Sequence, residues 1–338
     1  MLKRLGLLIV ALLVVALAAA VLLYQDFQRS LSTELSLTAP QEFEVVRGDS
    51  ARSVIAEMRD KGWFEAQYLS NRWHTSLLLR LYPQLAGVKT GLYELTPQMT
   101  LIDALNLMVD GKQKKFYITL VEGGTIKQWM AQLHQQHYLQ QQLTSIEDLV
   151  DALAIEQANP EGWFYPSTYQ YHKGHSDLDI LKRAYQQMQR HLDTAWQQRQ
   201  AQLPLKSPYE LLILASIIEK ETAVADERDW VSAVFINRLN KGMRLQTDPT
   251  VIYGLGERYK GNITRAHLRE KTPYNTYRIN GLPPTPIASA GLASLKAAAN
   301  PADVPYLYFV ATGKGGHKFS TNLADHNKAV KEYLRTIR

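Results

Sequence analysis

The run Leu211-Leu212-Ile213-Leu214-Ala215-Ser216-Ile217-Ile218 passes without a charge into Glu219-Lys220-Glu221-Thr222. A carboxyl group at the end of so apolar a run is the chain's best candidate for acid–base chemistry. At about 3.6 residues per turn, Leu212, Ala215, Ser216 and Glu219 share one helical face, with Leu211, Leu214, Ile218 and Thr222 on the stripe beside it. Glu219 is thereby placed against apolar side chains. Such surroundings strip hydration from a charged carboxylate, so a carboxyl group there keeps its proton near neutrality and can act as a general acid. The same pattern also describes a core helix that meets water at Glu219, Lys220 and Glu221. From this stretch alone both readings stand.

Two later stretches, 245–253 and 272–277, read as loops dense in amide, hydroxyl and carboxylate groups. Gln246, Thr247, Asp248, Tyr253, Asn275 and Tyr277 can meet the hydroxyl and acetamido groups of a sugar through directional hydrogen bonds. With Ser216 and Glu221 they form the candidate substrate-binding set, although Glu221 and Asp248 also fit as surface or capping charges. The stretch 159–169 gathers Trp163, Phe164, Tyr165 and Tyr169 among Gly and Pro, which suits either a stacking surface for sugar rings or a hydrophobic plug. His134 and His137, like His172 and His175, have a spacing that touches one metal, but each pair lacks a third ligand and reads as solvent-exposed. Gly313-Lys314-Gly315-Gly316 lacks the Gly-Lys-Ser/Thr ending of a phosphate loop. The chain has no cysteine, which excludes a thiolate metal site, a disulfide framework and a cysteine nucleophile. No cofactor and no metal is called for.

The elements that must position these residues follow from the apolar pattern. A length of 338 residues suggests about two domains, and 46% hydrophobic with 21% charged residues fits a folded chain. The net charge of +6 favours anionic partners only weakly. Leu5 to Leu23 is an unbroken apolar run of about the 20 residues that a bilayer-spanning helix needs, preceded by Lys3 and Arg4. It continues past the small residues Ala16, Ala18 and Ala20, which favours an uncleaved anchor over a signal peptide. The flanking charges place the N-terminus in the cytoplasm and the rest outside, where nucleic acid is not a partner. Residues 1–24 are thus read as a cytoplasmic tip and anchor, and 25–42 as a linker without stable pattern.

From Phe43 a strand, the turn Arg47-Gly48-Asp49 and a helix capped by Ser50 are expected, and a similar unit recurs at Thr119–Thr125 with Val121 in the place of Val46 and Gly123 in that of Gly48. Between them, Gly91–Leu95 reads as a strand and Thr100 as the cap of a helix ended by Gly111. The first unit resembles a LysM-type module, a small fold that often binds N-acetylated glycans. Residues 43–113 are assigned to that subdomain and 114–338 to a mixed α+β domain that holds Glu219. The fold class is α+β.

Leu214-Ala215-Ser216-Ile217-Ile218-Glu219-Lys220-Glu221, Phe235–Leu239, Leu245–Thr250, Tyr274-Asn275-Thr276-Tyr277, Gly281-Leu282-Pro283-Pro284 and Tyr306–Val310 together resemble the YceG-like family, in order and from about residue 43 to the C-terminus. Thr285, where many members carry Gly, is the one departure noticed. The resemblance implies a single-pass inner-membrane protein whose periplasmic domain cleaves peptidoglycan as an endolytic lytic transglycosylase, with Glu219 in the family's catalytic position and no cofactor. It also implies peptidoglycan synthases, the penicillin-binding proteins, as partners. A hydrolase that uses the same Glu, or a non-catalytic glycan-binding anchor, are the alternatives.

Overall fold

A computed structural model of the protein describes residues 2–67 and 70–336. It is a mixed α+β chain with three separate two-stranded sheets. The chain divides into two compact units: the first runs to Phe116 and takes in His172–Gly174, and the second comprises 117–171 and 175 onward.

In the first unit, helix α1 (Leu2–Ser32) changes character along its length. Its residues 3–25 are all exposed, and this segment is long and apolar enough to cross a membrane. Past it, the expected linker is corrected by the structure. The helix continues through Ser32, and Phe27, Leu31 and Leu35 are buried in one cluster with Phe43, Val54, Leu78 and Leu105. The physical reason lies in the spacing, because Phe27 and Leu31 stand four apart on one face of the helix, and Leu35, past its end, is held by its N–H to Met99 O at 2.7 Å. Polar contacts lock the same turn: the Gln67 N–H donates to Asp26 at 2.8 Å, and Ser30 Oγ lies 2.6 Å from His74 Nε2.

Strand β1 (Gln41–Val45), helices α2 (Ala51–Asp60) and α3 (Asn71–Leu81), strand β2 (Gly91–Leu95) and helix α4 (Leu101–Asp110) complete this unit. β1 and β2 pair antiparallel with Phe43 opposite Tyr93. Ser50 and Thr100 each accept the N3 backbone N–H of their helix and are bonded back by the N3 side chain, a reciprocal cap that fixes both helix starts.

The second unit opens with the recurrence of that pattern: strand β3 (Phe116–Thr119), a turn, and helix α5 (Ile126–His134) capped by Thr125 in the same way. Gly48 and Gly123, at matching turn positions, have φ of 103° and 73°, a region glycine enters without strain. Helix α6 (Ile146–Leu153), strand β4 (Thr168–Tyr171) paired with β3, and helix α7 (Asp177–Gln197) follow. Phe164 is fully buried and Trp163 stacks on Tyr209 at 5.7 Å, so the aromatic loop packs inward as a plug.

Helix α8 (Pro208–Glu221) is the centre of the unit, with every side chain from Leu211 to Ile218 buried. It is wrapped by α7 and by helices α9 (Arg228–Asn240), α10 (Asp248–Leu255) and α12 (Leu292–Ala299), with the short α11 (Arg265–Arg269) between the last two. A helix apolar on every side must be covered on every side. The stretch 245–253, read as a loop, is corrected from Asp248 onward, where α10 begins. Pro249 in its first turn, with φ already helical and no N–H to satisfy, is the cue that the polar composition concealed. Strands β5 (Tyr308–Ala311) and β6 (His317–Ser320) form the third sheet, with Phe309 opposite Phe319, and helix α13 (Leu323–Thr336) ends the described chain.

Phe27→Ala should lower the stability of the first unit by about 3–5 kcal/mol, the usual cost of emptying a fully buried Phe site. Leu13→Ala, in the exposed half of the same helix, should leave it unchanged. Urea denaturation of the detergent-solubilised protein checks both, and equal effects would mean that the 25–35 segment contributes nothing to the core.

Candidate active site

Glu219 stands in the last turn of α8, where the buried run meets an opening, and its side chain is half-buried. One carboxylate oxygen, Oε2, accepts the backbone N–H of Gly291 at 2.9 Å. Gly291 is the N-cap of α12, so this N–H belongs to the positive end of a helix, which favours a carboxylate placed there. The other oxygen remains available for a ligand. The N–H of Leu292, the next residue, lowers the pKa of Tyr165, which burial and Glu122 raise. Glu219 thus depends on two elements far apart in sequence: α8 carries it and α12 aims it.

A second carboxylate meets the same turn. The loop 121–124 is bound to the segment before α12 by a reciprocal pair of backbone bonds, Gly123 N–H to Ser289 O and Ser289 N–H to Gly124 O, both 2.9 Å. Lys220 adds a third tie from α8, with Nζ donating to Gly123 O at 3.1 Å. This brings Glu122 across from Glu219. A Cβ built on Gly291 would run into the Glu122 carboxyl group, so Gly291 marks a close approach, and one on Gly123 would lie in ordinary contact with Glu219 Cγ at 3.9 Å. Lost hydration raises the Glu122 pKa, the Glu219 carboxylate raises it further, and Arg228 acts in the opposite sense. Sequence reasoning missed Glu122. The available signal was the repeated strand-turn-helix unit, in which Glu122 stands where the first unit has Arg47.

The candidate binding residues separate into three groups. Tyr253 lines a cleft of about 820 Å³, together with Gly123, Lys220, Tyr274 and Ile287. Glu221, Thr247, Asp248 and Tyr277 form one polar cluster at the end of α8: the Thr247 hydroxyl donates to Glu221, and the Tyr277 hydroxyl donates to Asp248 at 2.7 Å. Burial pushes Glu221 above the usual carboxylate range, the Thr247 bond pulls it back, and Asp248 adds to the push. Gln246, exposed and with φ of 52°, sits beside this cluster through its N–H to Thr276 O at 3.2 Å. Ser216 and Asn275 are occupied internally. Ser216 Oγ donates to Ile213 O and accepts the Ile287 N–H, and Asn275 Nδ2 donates to the carbonyls of His267, Leu268 and Glu270. Buried at 0% and 1% exposure with their polar atoms in use, these two shape the site from behind.

Glu161, also missed, lines the same cleft at only 2% exposure. It accepts the Ile126 N–H at 3.1 Å, bonding the start of α5, and the Tyr253 hydroxyl at 3.4 Å. Burial pushes its pKa up to about 7 against the lowering effect of its hydrogen bonds. The folded state therefore binds a proton that the unfolded chain releases near pH 4.5, and stability conferred by the neutral form is lost as pH rises from there to about 7. The loss amounts to at most about 3 kcal/mol. Glu161→Gln, which stays neutral, should flatten the fall of urea midpoint between those pH values. An unchanged slope in the variant would assign the titration to another group.

The YceG-like family matches this chain over residues 43–332. The endolytic murein transglycosylase of Bacillus subtilis is 33% identical, across 75% of this chain and 75% of that protein. Its namesake in Streptococcus pneumoniae is 25% identical across 75% of this chain but 52% of its own, longer length. A crystal structure of a yceG-like protein from Listeria monocytogenes aligns at a TM-score of 0.51 and 29% identity, covering 86% of this chain and 98% of that one. The match begins within the first strand and ends inside the last helix, so that α1, the segment up to residue 42 and a few terminal residues lie outside it, and this chain belongs to the YceG-like family.

Proposed function

We propose that the protein is a membrane-anchored endolytic lytic transglycosylase, cutting the β-1,4 bond between N-acetylmuramic acid and N-acetylglucosamine within peptidoglycan strands. The observation that carries this reading is Glu219: a carboxyl group at the polar end of a buried helix, aimed by the Gly291 N–H, in a chain whose relatives are named endolytic murein transglycosylases. Glu219 gives its proton to the glycosidic oxygen as the bond to the muramyl anomeric carbon breaks, and oxocarbenium character develops at that carbon. The muramyl C6 hydroxyl attacks it and returns a proton to Glu219. The product ends in 1,6-anhydromuramic acid and no water is consumed, so the paired acid and base of an inverting hydrolase are not required. Tyr253, Gln246, Asp248 and Tyr277 are the groups best placed to meet the glycan, while Glu221 and Thr247, bonded to each other and shielded, support them together with Ser216 and Asn275.

The remaining assignments extend this reading. α1 is a single-pass anchor in the inner membrane with its N-terminus in the cytoplasm, and the rest lies in the periplasm. The βααβ order of β1, α2, α3 and β2 suits a LysM-like glycan-binding role for the first unit. Strand termination or trimming beside peptidoglycan synthases would fit an endolytic enzyme held at the membrane.

Glu219→Gln keeps shape and hydrogen bonding but cannot donate and recover a proton, so turnover should fall by about 10²- to 10⁴-fold while glycan binding persists. Mass spectrometry of products from uncrosslinked glycan should find anhydro ends with the wild type. Reducing ends instead would make the enzyme a hydrolase, and an active Glu219→Gln would remove Glu219 from the chemistry.

A further inference from the structure

Glu219 accepts a backbone N–H at a helix N-terminus, and the first step of the proposed reaction needs a proton for it to give. The charged groups around it bear on that proton. The cover of α8 is apolar, and the charged groups facing the Glu122–Glu219 turn come from three elements. Lys220 lies on α8 with its amine bonded to Gly123 O, Arg228 begins α9, and Tyr165, whose pKa the Leu292 N–H lowers, comes from the aromatic loop. Both cations favour ionised carboxylates, and Glu122 is the group of opposite effect.

We propose that Glu122 is a positioning residue of this reaction: its carboxylate, placed across Gly291 from Glu219, opposes loss of the last proton from the pair and so keeps a proton available for the glycosidic oxygen. The inference rests on the transglycosylase reading of Glu219. Its geometric basis is the pair of reciprocal bonds that pins Gly123 and Gly124 to Ser289 and so holds the backbone next to Glu122, whose side chain is exposed. Its second basis is the missing side chain at Gly291, whose place the Glu122 carboxyl group fills. Both carboxylates flank Gly291, and the Glu219 charge raises the Glu122 pKa, so one negative charge there raises the cost of a second. The proton passes from the pair through Glu219 to the leaving oxygen. After the C6 hydroxyl attacks, the neighbouring negative charge makes Glu219 a better acceptor for the hydroxyl proton, so the pair ends the cycle with the proton count it began with.

The test compares kcat and KM on uncrosslinked glycan from about pH 4 to about pH 9 for the full-length protein and four variants. Glu122→Gln keeps the shape and removes the charge, so the alkaline limb of the kcat profile should move to lower pH by about 1 unit. Activity near neutrality should then fall about tenfold with KM close to wild type. Gly291→Ala tests the same idea with Glu122 still present. The backbone there, φ −77°, accepts alanine, while the new Cβ displaces the flexible end of Glu122, so the limb should move in the same direction. Glu122→Asp keeps the charge and should hold the limb near its wild-type position even if kcat drops. A Glu122→Gln limb that stays in place, whatever its kcat, overturns the proposal and leaves Glu122 a packing residue; should that variant not fold, an unmoved limb in Gly291→Ala overturns it equally. Glu219→Gln separates the two readings. If it is active, the reaction assigned to Glu219 fails; if it is inactive while the other limbs do not move, only the role of Glu122 fails.

Discussion

Gly291 carries the constraint on which the site depends. Its N–H holds Glu219, and the absence of a side chain makes room for Glu122, so one glycine sets the spacing of two carboxylates. The position of Gly291 is fixed in turn by α12, whose buried Leu295, Ala298 and Ala299 join the same core as α8. Small residues along α12 let the two helices approach closely, and that approach brings the α12 N-terminus level with the last turn of α8. The site is therefore a consequence of helix packing. Its donors sit on helix ends and a twice-bonded turn, which hold geometry better than a free loop does.

The polar cluster below Glu219 shows the same economy. Glu221, two residues on, accepts the Thr247 hydroxyl, while the Thr247 N–H donates to the Thr276 hydroxyl oxygen at 3.0 Å. Arg238, buried on α9, donates to the carbonyls of Leu307 and Leu245 at 2.7 and 2.8 Å. Glu221, Thr247, Thr276 and Arg238 are thus each bonded to a neighbour, as burial in low dielectric demands. The chain from α8 through 245–247 to 276 and β5 is thus held by directional bonds as well as by apolar contact. A change at Arg238 or Thr276 would be felt at Glu221 without touching Glu219.

What was legible in the sequence divides along physical lines. The helix over 211–221, its carboxylate, the caps at Ser50, Thr100 and Thr125 and the hairpin at 308–320 all depend on local pattern, and local pattern is what a sequence displays. The linker reading of 25–42 failed because three apolar residues spaced by four are easily lost among Gln, Ser and Thr, and only a partner surface reveals that they are buried. The start of α10 was hidden by polar composition although Pro249 marked it. Glu122 and Glu161 were out of reach for a different reason. Each becomes notable only through a contact across the fold, with Gly291 in one case and with the Ile126 N–H and Tyr253 in the other, and no spacing within the chain encodes such a meeting. The same limit explains Ser216 and Asn275, whose residue types suit a glycan but whose hydrogen bonds are already committed.

The correction at α1 changes how the anchor acts. Had 25–42 been a flexible tether, the first unit would sample a wide volume around the end of the apolar segment, with a reach growing as the square root of linker length. Instead Phe27 and Leu31 are core residues of that unit, so the helix that leaves the exposed apolar segment is the helix that enters the core, without a joint between them. Only Tyr24 and Gln25 separate the end of the apolar run from Asp26, which is bonded to Gln67. If α1 spans a bilayer, the first unit is held against its surface at a fixed height, because the buried turn at Phe27 and Leu31 follows the apolar segment within the same helix.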